Sequence, residues 1–139
     1  MHGQESNEQK KQYLMSYKWA CFREKQILDD IQELRNSKMH PSVVNDGMPK
    51  GNEQRDLSDY AAKLDHLIQL LENERIGKIQ LLIDIEKKIN AVENAEEQEV
   101  LRLRYIKGLK WEAVAVKMNI GYRHVLRIHG KALKNFKMS

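Results

Sequence analysis

Apolar residues recur along most of this chain at spacings of three and four, the period of an amphipathic helix rather than of a strand. From about Glu8 to Arg35 the seam is Tyr13, Tyr17, Ala20, Ile27, Ile31 and Leu34, interrupted only by Glu24. It predicts a long helix with coiled-coil character. Ser37–Asp56 (SKMHPSVVNDGMPKGNEQRD) holds both prolines and two glycines, so a loop is expected over 37–56. A second helix is expected from near Leu57 to about Val92, with Asp56 or Ser58 as its cap. Its seam runs Leu57, Tyr60, Leu64, Leu67 and Leu71, then resumes as Ile79, Leu82, Ile85, Ile89 and Val92. The step from Leu71 to Leu82 reads as a stutter, and Gly77 within it as a bend or a close helix contact. About 36 residues at ~1.5 Å each span roughly 54 Å, so the apolar stripe needs a partner. The first helix, folded back antiparallel, or a second copy of the chain would supply one.

The pattern shortens after residue 93. Asn94 can cap a helix whose opening turns carry Glu96, Glu97 and Glu99 and whose apolar face is Val100, Leu101, Leu103 and Ile106. Gly108 suits the left-handed residue that ends it. A short helix Trp111–Met118 follows, then the turn Asn119–Gly121, then a helix from Tyr122 to about Phe136. Val125, Ile128, Ala132 with Leu133, and Phe136 form its inward face. Three helices with a tight turn between the last two are the layout of a helix-turn-helix. The expected fold is therefore all-α: a long antiparallel helical hairpin over 1–93 and a helix-turn-helix domain over 94–139.

Charge sharpens this division. Residues 95–139 hold ten Lys/Arg against four Glu, whereas residues 1–94 hold 14 against 16 acidic. A basic end of this kind points to a polyanion partner. At 139 residues with 41% apolar content the chain can bury a core, and its single cysteine excludes an internal disulfide. No apolar run reaches the length of a membrane span and the N-terminal residues lack a signal-peptide core, so a soluble cytoplasmic protein is expected.

The final helix opens with Tyr122, Arg123 and His124, where the helix dipole favours acids. An arginine there is unfavourable unless an outside anion neutralises it. In a helix-turn-helix the second helix lies in the major groove and its first residues reach base edges. Arg123 is then a candidate for guanine, worth roughly 1–3 kcal/mol of discrimination. Tyr122 and His124 are candidates for phosphate or base acceptors. Lys110, Lys117, Arg127, Lys131 and Lys134 are candidates for phosphate contacts, which supply affinity and salt sensitivity. Trp111 is expected as a core plug against the first and third helices of this domain, and His129 as a packed residue.

From Glu97 to Phe136 the sequence resembles region 4 of bacterial sigma factors. RYIKG, KWEAVA and RHVLRIHGKAL are similar to phage and prophage proteins grouped with the ArpU/RinA-type regulators of late phage transcription. LMSYKWA (14–20) and GMPKGNEQRDLSDYAAKLD (47–65) extend the resemblance over nearly the whole chain. It implies a DNA-binding transcriptional regulator whose DNA-facing residues are Tyr122, Arg123, His124 and Arg127, with Lys131 on the backbone. Through sigma region 4 it also implies RNA polymerase as a candidate partner. Two departures stand out: Lys110 where Ser or Thr often caps the supporting helix, and Gly121 where Ser is common. No segment resembles the promoter-opening regions of a sigma factor.

Other chemistry finds little footing. GMPKG (47–51) lacks the GK[ST] ending and preceding strand of a phosphate loop, and reads as a turn. The five histidines show no metal-ligand spacing, Cys21 has no base nearby in sequence, and no cofactor is implied. An enzyme is not expected. The alternative reading is a DNA-packaging recognition subunit like small terminase subunits, which also join a helix-turn-helix to oligomerising helices. The packaging reading expects a ring-forming oligomer, whereas a homodimer is a candidate partner for the regulator.

Overall fold

The computed structural model describes residues 5–39 and 53–139, and among these every regular element is helical. α1 covers Asn7–Met39, α2 Glu53–Asn90, α3 Ala95–Leu101, α4 Trp111–Met118 and α5 Tyr122–Asn135; a π-helical turn, Arg102–Ile106, continues α3. No helix of the described residues is long and apolar enough to cross a membrane.

α1 outruns its expected ends, and α2 outruns its expected start while stopping at Asn90, just short of Val92. α1 passes through Ser37 to Met39, and α2 starts at Glu53, so Asp56 and Ser58 lie inside it rather than capping it. The breakers begin only at Pro41, and the Ser37 hydroxyl donates 2.7 Å back to the Leu34 carbonyl, a bond compatible with a helix's last turn. The GMPKG motif and the centre of the expected loop lie outside the described residues. α1 opens with a capping box: Ser6 Oγ accepts from Gln9 N at 3.1 Å, and Gln9 Oε1 accepts from Ser6 N at 3.0 Å.

The seams also shift in phase. Leu14, absent from the expected seam, is fully buried, whereas Leu57 and Ile79, both expected in it, are more than half exposed. On α2 the covered positions run Leu71, Glu74, Lys78, Leu81 and Ile85 without a stutter, because polar residues fill the apparent gap. Gly77 faces outward in an unbroken helix, and a Cβ there would meet nothing within 4 Å, so no close helix contact explains it.

The chain divides into two compact units, Met1–Cys21 with Lys78–Ser139, and Phe22–Gly77. In the first, Leu14 of α1 and Ile85, Ile89 and Val92 pack with Leu101, Tyr105, Ala132, Leu133 and Phe136. The expected border at residue 93 thus runs through a shared core. Phe136 is enclosed there by residues of α1 and α2 as well as by those of the shorter helices. A second cluster joins Leu103, Val114, Ala115 and Val125, flanked by Leu109, Trp111, Met118 and Ile120. Tyr13 is tied to α2 by donating to Asp84, while Lys88 Nζ donates to both Tyr13 Oη at 3.1 Å and Asp84 at 2.8 Å.

In the second unit α1 and α2 meet along half-buried Ile27, Leu34, Tyr60, Leu64 and Leu67, with Ile31 and Leu71 buried. Glu24, the residue that interrupts the α1 seam, accepts from Arg75 Nε at 3.0 Å, and Glu74 accepts from Arg23 Nε at 2.7 Å. The carboxylates are therefore the better-covered members of two reciprocal ion pairs.

Candidate nucleic-acid interface

The segment that carries the candidate residues is shaped by three local stops. Asn94 caps α3, its Oδ1 accepting from Glu97 N at 3.0 Å, as expected from its place before the acidic turn. Gly108, at φ 72°, ends the π-helical turn with Leu109 N donating to Leu103 O at 3.0 Å. Asn119 takes the left-handed conformation (φ 57°, ψ 44°) and ends α4, with Ile120 N donating to Ala115 O at 3.1 Å. Asparagine is among the few side chains that tolerate this backbone. Gly121, extended at φ −70° and ψ 151°, then starts α5.

α5 is divided sharply into two faces. Val125, Ile128, His129, Ala132 and Leu133 are buried, and Phe136 just beyond the helix is fully buried. At about 100° per residue, Arg123, Arg127, Lys131 and Lys134 fall within an arc of about 80° opposite that face. All four are exposed. His124 borders the arc beside Lys131. Tyr122, 44% exposed, lies about 100° from Arg123, in line with the buried face, and is the first residue of the helix. α5 contains no acidic residue. Among the described residues, no carboxylate lies within ion-pair distance of Arg123 or Arg127. By contrast, Arg23 and Arg75 are ion-paired, Arg102 donates to Asn90 Oδ1 at 2.7 Å, and Arg104 donates to Leu109 O at 3.0 Å.

Lys110 and Lys117 stand seven residues apart on one face of α4, both exposed. Lys110 is the N-cap of α4 and Gly121 that of α5, and neither helix start has a side-chain cap. The first amides of both helices are therefore without an intramolecular acceptor from the cap, at the positive end of each dipole.

Behind the cationic face lies an aromatic strut. His129 is buried, and its Nε2 lies 2.7 Å from the Tyr105 hydroxyl in a hydrogen bond. Trp111 meets the His129 ring edge-on at 4.5 Å between centroids, while the Arg104 guanidinium sits 4.5 Å above the indole. Trp111 is half-buried, with Arg104 and His129 as its ring partners. Burial, and then repulsion from Lys11 and Arg104, push the His129 pKa down to about 4; burial pushes the Tyr105 phenol up to about 12. A neutral imidazole is therefore the form that fits this site.

Sequence reasoning missed the far end of α5. Lys10, only 8% exposed, donates its ammonium to the Leu133 carbonyl at 2.7 Å and the Lys134 carbonyl at 3.4 Å. Asn135 Nδ2 donates to the buried Glu97 at 2.8 Å, and the Tyr13 ring meets Phe136 edge-on. Only the spacing of Lys10, Leu14 and Tyr17 hinted that position 10 belongs to a covered face. Among the described residues no group of three or more His, Cys, Asp or Glu side chains is placed to hold a metal ion.

A family model described as "Protein of unknown function (DUF1492)" matches residues 33–137, and the chain belongs to that family. No curated protein and no solved structure matches it.

Proposed function

We propose that this DUF1492 chain is a sequence-specific double-stranded DNA-binding regulator of transcription, of phage or prophage origin, acting at late gene promoters. The observation that carries the reading is the ridge of Arg123, Arg127, Lys131 and Lys134. These side chains are exposed, without carboxylate partners, and set opposite the buried face of α5. A face so arranged is electrostatically unfavourable in the free protein and favourable against phosphates. α4, the Asn119–Gly121 turn and α5 are read as a helix-turn-helix, with α5 in the major groove and the paired stretches of α1 and α2 as a helical hairpin. The open starts of α4 and α5 suit phosphate oxygens. Lys110 and Lys117 add backbone contacts from α4.

The regulatory role rests on the likeness of residues 97–136 to sigma region 4 and of 14–20 and 47–65 to the ArpU/RinA-type regulators. Host RNA polymerase and a second copy of the chain are the partners this reading brings in.

Titration of labelled duplexes covering the source genome tests it. One or a few promoter fragments should bind far more tightly than scrambled DNA, with affinity falling steeply as salt rises. Equal affinity for every fragment would refute sequence specificity, and absence of binding at low salt would refute the reading altogether. A ring-forming oligomer in light scattering would favour the packaging subunit instead.

A further inference from the structure

A lysine ammonium seldom sits under cover, because removing it from water is costly unless its donors are satisfied. Lys10 is covered, and among the described residues no carboxylate pairs with it. Its partners are two main-chain oxygens, those of Leu133 and Lys134. These are carbonyls of the last turn of α5, which the helix itself cannot satisfy and which carry the negative end of its dipole. The charge of Lys10 is thus matched to one end of one helix rather than to a side chain.

The other end of α5 has no such anchor. Gly121 offers no side-chain cap, and Arg123 and Arg127 make no ion pair. The buried face fixes how α5 is rotated, through Val125, Ile128, Ala132 and Leu133. Apolar packing limits sliding along the axis less sharply than a directional bond at a terminus does. Polar contacts at that terminus come from Asn135 to Glu97 and from Lys10 to the Leu133 and Lys134 carbonyls. Lys10 supplies the directional contact from α1, beside the apolar packing of Tyr13 and Leu14.

We infer that Lys10 is a positioning residue: from α1 it clamps the C-terminal carbonyls of α5 and so sets where Arg123 and Arg127 stand along a DNA groove. The inference rests on the DNA-binding reading for its consequence, but the clamp is a claim about the free protein. Lys10 lies under cover and contributes no phosphate contact. Its effect on DNA is exerted through the register of α5.

The test compares the full chain with Lys10→Met, which keeps the apolar stem and removes the ammonium, and with Lys10→Arg, which restores a cation. In Lys10→Met, amide exchange should speed at residues 133–137 while α3, α4 and the start of α5 stay protected. Affinity for the preferred fragment should fall at least about fivefold, the low end of one lost base contact, with the salt slope unchanged. Lys10→Arg should recover part of both. Unchanged affinity and unchanged exchange in Lys10→Met would overturn the inference. So would a loss matched by a shallower salt slope, which would make Lys10 a phosphate contact. Should Lys10→Met not fold, the wild-type protein still decides. A clamped ammonium gives a slowly exchanging Nζ resonance that shifts when the preferred duplex is added, and a freely exchanging one refutes the clamp. If the wild type binds no duplex, the functional reading and the register argument fail together, while the exchange data still judge the contact itself.

Discussion

Met1–Cys21 with Lys78–Ser139, and Phe22–Gly77, draw on the same two long helices yet hold themselves together by different means. The first carries sixteen Lys/Arg against nine Asp/Glu and contains two clusters of buried side chains. The second carries eight against eleven, and among its described residues the buried apolar ones are Ile31 and Leu71. Its remaining order comes from a half-covered seam and two partly exposed ion pairs. Phe22, Leu28, Leu57, Leu70 and Ile76 stay substantially exposed in it. Charge and packing thus change together along one pair of helices. The cationic part has the dense core, and the anionic part, which a duplex would repel, has a thin one.

The largest break in this contrast should come from Phe136→Ala. Emptying the site of a fully buried ring should cost about 3–5 kcal/mol and abolish DNA binding, read by denaturant melts and titration. Retained binding at wild-type stability would mean the first unit does not depend on that core. Leu71→Ala should cost about 2–4 kcal/mol, confined to the second unit. Hydrogen exchange should accelerate over 22–39 and 53–77 while DNA affinity stays within about twofold of wild type. A loss of affinity as large as that of Phe136→Ala would erase the distinction.

Acid should act on the first unit through His129. Its folded pKa, about 4, lies below the ordinary 6.5, so the unfolded chain takes up the proton first. Stability from this group is whole above about pH 6.5, declines as pH falls, and levels off below about 4, a loss on the order of 2–3 kcal/mol. Melting temperatures against pH for wild type and His129→Gln should converge at the acid end. Parallel curves would show that His129 is not the group responsible.

Within the cationic face, Arg123→Ala should cost roughly 1–3 kcal/mol on the preferred sequence and little on scrambled DNA. Lys134→Ala should weaken both alike and lower the salt slope by about one. Reversed behaviour would exchange their roles. The smallest effect belongs to Glu74→Gln, which releases a largely exposed Arg23. It should cost roughly 0.2–1 kcal/mol in thermal melts, and less at high salt.

Much of the cationic segment was legible because its stops are chemical. Asn94, Gly108 and the Asn119–Gly121 turn each act within a few residues, so spacing alone located them. The long helices were harder. Glu74 and Lys78 occupy seam positions that a hydrophobic count skips, which produced an apparent stutter. Leu14 packs with the final helix as well as with α2, so its burial answers to a partner that no local period encodes. Asp56 and Ser58 look like caps, yet they sit inside α2, since capping residues are also tolerated within helices. The Lys10 contact joins residues 123 apart; its spacing from Leu14 and Tyr17 marks position 10 as covered, but nothing local names its partner.

That long-range contact bears on how the chain is made. Synthesis proceeds from the first residue at about 5–20 residues per second. Leu133 is translated 123 residues after Lys10, and Ala132 and Phe136, which with it complete the surroundings of Leu14, come as late. Until then Leu14, Ile85 and Ile89 have no finished core to enter, so the growing polypeptide carries uncovered apolar surface over that interval. A helical protein would ordinarily fold quickly through local contacts; this one closes its principal core only when segments far apart in sequence meet.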